Sequence, residues 1–74
     1  MDTHHLTRMA NQIGSFFEAM PDHQEALAGI SQHIKRFWEP RMRRELQQYL
    51  QQGDGAELSG IVLEALQADD DWKV

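Results

Sequence analysis

Apolar side chains recur along this 74-residue chain at spacings of three and four, which is the period of an amphipathic helix. A first helix is predicted over about residues 4–19. Asp2 or Thr3 can cap its start, and Pro21 ends it, because proline lacks a backbone N–H and clashes with the preceding turn. Its apolar stripe consists of Leu6, Met9, Ile13, Phe16, Phe17 and Met20.

The next apolar stripe predicts a second helix over about residues 22–38. Asp22 can cap it, and Gly29 inside it costs about 1 kcal/mol relative to alanine. This helix must end near Trp38, because the residue before a proline is disfavoured in the helical conformation and Pro40 follows closely. The stripe consists of Ala26, Leu27, Ile30, Ile34 and Phe37.

A third helix is predicted over residues 40–52, with Pro40 as its first residue. The segment Gly53-Asp54-Gly55 is expected to supply a left-handed C-terminal cap and a turn. The inner face of this helix consists of Met42, Leu46, Tyr49 and Leu50, and its outer face of Gln47, Gln48, Gln51 and Gln52.

A fourth, shorter helix is predicted over about residues 57–67, through Leu58, Ile61, Val62, Ala65 and Leu66. The tail over residues 69–74 has a run of like charges and no period, so we expect it to be frayed or disordered. The sequence therefore predicts an all-α fold, in which residues 1–68 form one compact bundle of three to four short helices.

The length and composition of the chain argue against an autonomous enzyme. A domain of this size buries only about 60% of its unfolded surface, too little to enclose both a core and a deep substrate pocket. The chain has no cysteine, and its four histidines have no spacing typical of a zinc site, so we expect neither catalytic nor metal-binding residues. Polar residues interrupt the first 20 positions and no long apolar run follows, so we expect a cytoplasmic protein.

Positive charge is concentrated between His33 and Arg44. This window holds five of the seven Lys and Arg residues and only one acid, so it carries +4 and leaves −9 for the rest of a chain of net charge −5. It also contains Phe37 and Trp38, and Arg and Trp are enriched at the energetic centres of protein interfaces. The candidate partner-binding residues in this window are Arg36, Trp38, Arg41, Arg43 and Arg44.

Two interpretations of this basic window remain open. It can be a solvated face, in which Glu39 and Arg43 form an exposed pair worth about 0.3–0.5 kcal/mol. However, Arg41 and Arg44 lie with Arg43 at the start of a helix, where the helix dipole disfavours each cation by about 0.3–1 kcal/mol. Local stability would not select arginine there, which favours a partner contact. Trp38 can either close the bottom of the core or anchor the partner.

The first predicted helix carries further candidates. Phe16 and Phe17 project about 100° apart, so both cannot point to the centre of a small domain, and one is expected to meet something else. Gly14 costs stability within a helix and is expected to mark a close approach by another helix.

Two segments carry a resemblance to a known family. Arg8-Met9-Ala10-Asn11-Gln12-Ile13-Gly14-Ser15-Phe16-Phe17 and Arg36-Phe37-Trp38-Glu39-Pro40-Arg41-Met42-Arg43-Arg44 resemble the small delta subunit of the soluble NAD-dependent, molybdenum-containing formate dehydrogenases of bacteria. The likeness covers roughly residues 6–68. Two positions differ from the usual pattern of that family: Glu39 stands where Asp is usual, and Ser59 where a Pro often opens the last helix.

The resemblance implies a non-catalytic accessory subunit that supports assembly or stability of the complex. In such enzymes the large subunit carries molybdopterin guanine dinucleotide and iron–sulfur clusters, and other subunits pass electrons to flavin and NAD. We expect no cofactor in this chain itself. Because the family motif includes them, Asn11 and Gln12 are candidates for a subunit contact together with Arg8 and Phe17, although plain solvent exposure remains open for the polar residues.

Three alternatives stay open at this point. The chain can be a transient maturation chaperone for cofactor insertion rather than a permanent subunit. A DNA-binding helix-turn-helix can be drawn with Arg41, Arg43 and Arg44 on its recognition helix, but a charge of −9 outside the basic window opposes binding to phosphate, so we expect no nucleic-acid or membrane partner. Finally, an isolated chain can form a homodimer through the surface meant for its partner.

Overall fold

The computed structural model describes residues 2–53 and 55–74, and this part of the chain folds into four α-helices without a strand. The helices are α1 (Thr3–Glu18), α2 (His23–Phe37), α3 (Pro40–Gln52) and α4 (Gly60–Ala68). The Asp2 carboxylate accepts a hydrogen bond from the His4 N–H at 3.2 Å, and Asp22 caps α2 in the same way. The predicted all-α fold is therefore confirmed, as are these caps and the position of Pro40 as the first residue of α3.

Helix α1 is central to the packing, because it contacts α2, α3 and α4, while α2 also contacts α4. Gly14 allows α4 to come close: a Cβ atom at this position would lie 2.5 Å from Cγ2 of Val62. The predicted close approach at Gly14 is thus confirmed. The buried core consists of Leu6, Ala10, Leu27, Ile30, Ile34, Trp38, Leu46, Leu58, Val62, Ala65, Leu66 and Trp72.

Helix α4 begins at Gly60, three residues later than predicted. The residues before it form a loop, and the Leu58 side chain is buried in the core from this loop. Gly55, with φ of 73°, adopts the left-handed conformation, whereas Gly53 is extended with φ of −146°. The left-handed residue of the predicted Gly53-Asp54-Gly55 segment is therefore Gly55 and not the residue that ends α3, while the middle residue, Asp54, lies outside the described residues.

The tail over residues 69–74 is packed on the helices, so the prediction that it is frayed or disordered is wrong. The Trp72 side chain is fully buried, at 0% exposure, and its indole Nε1 donates to the Leu66 carbonyl at 3.0 Å. Two carboxylates of the tail also bind residues of α2. Asp69 accepts a hydrogen bond from the Ser31 hydroxyl at 3.1 Å, and Asp71 forms an ion pair with Lys35. The like-charge run is tolerated because each of these carboxylates has a partner on α2.

Within residues 2–53 and 55–74, no helix combines the length and the apolar character that crossing a membrane requires.

Candidate docking surface

An open apolar groove of about 430 Å³ lies between α1 and α2. Most of its lining residues lie on α1, one lies on α2, and Trp38, which follows α2, completes the lining. The residues that line it are Met9, Gln12, Ile13, Phe16, Phe17, His33 and Trp38. This groove, called the aromatic groove below, presents mainly carbon atoms to the outside.

Phe16, which lines the aromatic groove, is 74% exposed, and Phe37, whose ring contacts the lining residue His33, is 71% exposed. A series of ring contacts connects them. Phe16 meets Phe17 edge-on at a centroid distance of 5.2 Å, Phe17 meets His33 at 6.3 Å, and His33 meets Phe37 at 4.8 Å. The sequence pattern placed Phe37 on the inner stripe of its helix, which is wrong because the adjacent Trp38 occupies the core at this end of α2.

Of the adjacent residues Phe16 and Phe17 at the end of α1, one ring is packed and the other is exposed, as expected. Phe17 is the packed ring, because it lies against Gly29, where a Cβ atom would be only 2.5 Å from Phe17 Cε1. Gly29 thus has a steric reason to lack a side chain. Phe16 is the ring that meets no other part of the core, whereas the choice of Phe17 as a partner-binding residue stays a prediction.

Trp38 lies mostly in the core and also reaches the surface, and these are the two locations that the sequence left open. Only 6% of the residue is exposed, so most of the indole belongs to the core. The remaining edge lines the aromatic groove. A partner in the groove would therefore touch the edge of Trp38 rather than surround it, and an anchoring role for this ring stays a prediction.

Four arginines, Arg8, Arg36, Arg41 and Arg44, are exposed, and their guanidinium groups form no ion pair or hydrogen bond with the described part of the chain. Arg43 does not pair with Glu39 either. Its Nη1 instead donates to the Lys35 carbonyl at 3.4 Å. Among the described residues, lysine forms ion pairs, Lys35 with Asp71 and Lys73 with Asp70, and histidine rings contact carboxylates, His4 with Glu57 and His23 with Glu64.

The two amide side chains predicted on α1 to contact a partner, Asn11 and Gln12, differ in their surroundings. Asn11 is used within the chain, because its Nδ2 donates to the Glu57 carbonyl at 2.9 Å and its Oδ1 accepts from the Ser59 N–H at 2.8 Å. Gln12 is exposed and lines the aromatic groove. The residues that the sequence did not single out at this surface are Met9, Ile13 and His33, which become groove residues only through the packing of α1 on α2.

Among the described residues, no three or more His, Cys, Asp or Glu side chains are grouped so that they could hold a metal ion. The described chain does carry two strongly exposed phenylalanines and four exposed arginines that have no partner within it.

The fold and this surface define a small all-α protein with an open apolar groove and four exposed arginines that have no partner in the described part of the chain. The chain belongs to the NADH-dependent formate dehydrogenase delta subunit family, FdsD, whose sequence model matches residues 5–66. The resemblance carried by the two motifs is therefore confirmed. Neither the curated proteins nor the solved structures give a significant match to the chain.

Proposed function

We propose that this chain is a non-catalytic accessory subunit that binds the large catalytic subunit of a cytoplasmic, NAD-dependent molybdenum formate dehydrogenase and supports its assembly or stability. The observation that carries the proposal is the family match, which extends over residues 5–66 of 74. In this arrangement the molybdopterin guanine dinucleotide, the iron–sulfur clusters and the flavin belong to the partner subunits, and the delta chain contributes contacts only.

The distribution of charge supports a contact with an acidic surface. Four arginines have no partner within the described chain, although the chain as a whole is acidic. Arg41 also lies in the first turn of α3, and Arg44 directly follows that turn, at the end of the helix where the dipole disfavours cations. An acidic patch on the large subunit would remove this unfavourable interaction, which is a physical reason for arginine at these positions.

The experiment that tests the proposal is purification of the tagged chain from its own cells, followed by size exclusion and mass spectrometry. We expect the large subunit to co-elute with the chain. Elution of the chain without any formate dehydrogenase subunit would contradict the proposal. As a second readout, the purified chain freed of the other subunits should not oxidise formate.

The same preparation separates a permanent subunit from a transient maturation chaperone. A permanent subunit is recovered in constant ratio with active, cofactor-loaded enzyme. A chaperone is recovered only with large subunit that lacks the molybdenum cofactor, and deletion of the cofactor-synthesis genes would then increase the amount of complex.

A further inference from the structure

We infer that the aromatic groove between α1 and α2 receives an apolar helical segment of the large subunit, and that this segment carries aspartate or glutamate on both flanks. The inference rests on the proposed function and deepens it, because it assigns the contact to one surface and specifies the chemistry of what occupies it.

The apolar part of the argument is the exposure of the two phenylalanines. Phe16 and Phe37 expose 74% and 71% of their surface, and the ring series through Phe17 and His33 joins them into one continuous patch. Contiguous apolar patches of this kind mark interaction sites on soluble proteins. Because the groove lies where α1 packs against α2, a third helix with apolar residues at spacings of three and four can pack into it.

The charged part of the argument comes from two arginines near the groove. Arg8 lies four residues before Gln12 on α1, and Arg36 lies three residues after His33 on α2. Residues at these spacings are neighbours on a helix surface. On each of the two helices, one exposed arginine without a partner in the described chain therefore lies about one turn from a residue that lines the groove. An occupant with carboxylates on both flanks would satisfy both.

The same arginines argue against a second copy of this chain as the occupant. A two-fold symmetric dimer presents the same patch on both subunits. The arginines near one groove would then face those of the other, and like charges brought together across an interface oppose association. The charge near the groove thus favours an acidic segment of a different protein.

A photo-crosslinking experiment identifies the occupant directly. The photoreactive amino acid p-benzoyl-phenylalanine replaces Phe16 in a tagged chain that is co-expressed with the large subunit. Irradiation is expected to yield a crosslink to one peptide of the large subunit with helical apolar spacing and flanking acids. The same amino acid at Gln48, which is exposed on α3, is the control position. A crosslink from position 16 to a second copy of the chain, or to a basic or polar peptide, would overturn the inference.

Binding measurements with purified large subunit provide the second test. We expect Phe16→Ala with Phe37→Ala to weaken binding at least tenfold at any salt concentration. Arg8→Gln with Arg36→Gln should weaken it mainly at low salt, since exposed charges are screened as salt increases. The matched control is Gln24→Glu with Gln48→Glu, which changes the net charge by the same amount at exposed positions away from the groove.

The outcomes distinguish this inference from the proposed function. If the wild-type chain does not bind the large subunit, the proposed function fails. If the wild-type chain binds and the double phenylalanine variant binds equally well, the groove assignment fails while the subunit role stands. Circular dichroism of each variant verifies the fold, which should be retained because both phenylalanines are largely exposed.

Discussion

Trp72 and Leu66 are connected by a hydrogen bond from the indole Nε1 to the backbone carbonyl oxygen at 3.0 Å. The bond spans the end of α4, so it satisfies a carbonyl of the last turn that has no partner within the helix. It also satisfies the polar atom of a side chain that is fully buried. The segment after α4 is thereby part of the core rather than an extension from it.

Replacing Trp72 with alanine should therefore lower the free energy of unfolding by about 3–5 kcal/mol, as expected for a large buried aromatic side chain. Urea denaturation followed by circular dichroism measures the change. Trp72→Phe, which keeps most of the apolar volume but loses the hydrogen bond, should have an intermediate effect. Val74→Ala is the control, since Val74 is 52% exposed. A Trp72→Ala variant as stable as the wild type would contradict the packing described above.

Gly14→Ala should destabilise the fold although alanine is the better helix former. The added Cβ would lie 2.5 Å from Val62 Cγ2, and the stiff, branched valine side chain has little room to move. Overpacking typically costs about 1–3 kcal/mol, which exceeds the helix-propensity gain of about 1 kcal/mol. Gly60→Ala is the control, because no atom lies within 4 Å of its added Cβ. The urea midpoint should fall for Gly14→Ala and stay or rise for Gly60→Ala.

Asn11→Ala should lower the free energy of unfolding by about 1–3 kcal/mol, because the Glu57 carbonyl and the Ser59 N–H would both lose their partner. Gln12→Ala changes the neighbouring amide, which is exposed, and should alter stability by less than about 0.5 kcal/mol. Thermal unfolding of the two variants in parallel tests this difference. Equal melting temperatures would show that the Asn11 hydrogen bonds contribute nothing.

Arg41→Gln with Arg44→Gln should leave the isolated fold intact or slightly more stable, since two cations are removed from the positive end of the α3 dipole. Recovery of the large subunit in a co-expression pull-down should nevertheless fall. The matched control is Gln24→Glu with Gln67→Glu, which makes the same change in net charge at exposed positions on α2 and α4. Full recovery with the arginine variant at physiological salt would indicate that Arg41 and Arg44 form only a solvated face.

The helices were predictable because their signals are local. The apolar period, the capping carboxylates of Asp2 and Asp22, and the fixed backbone angle of Pro40 each act within a few residues. The burial of Trp72 was not predicted, because no apolar periodicity in the tail indicates it and the hydrogen bond of its indole joins the tail to another segment. A tryptophan in an otherwise polar tail was the one available signal, since a side chain of this size is rarely left exposed.

The docking surface was predictable only in part, for a related reason. Two adjacent phenylalanines indicate that one ring is exposed, but the contact between Phe17 and Gly29 decides which one, and this contact joins two helices. Asn11 carries no sequence signal for the backbone groups that it binds more than 40 positions away. The basic window is visible in the sequence itself. That Arg36, Arg41 and Arg44 have no partner in the described chain could be learned only from the positions of the acids in the fold.

Helix α3 differs from the other helices in how firmly it is held. It has one fully buried residue, Leu46, in 13 positions, whereas α4 buries three in nine. Regions with little buried apolar surface open at lower free energy than the core. In native-state hydrogen exchange, the amides of α3 should therefore exchange well before those of α4, although α4 is the shorter helix. Helix α3, which carries Arg41 and Arg44, can thus change its position at a lower cost in free energy than α4 when a partner binds.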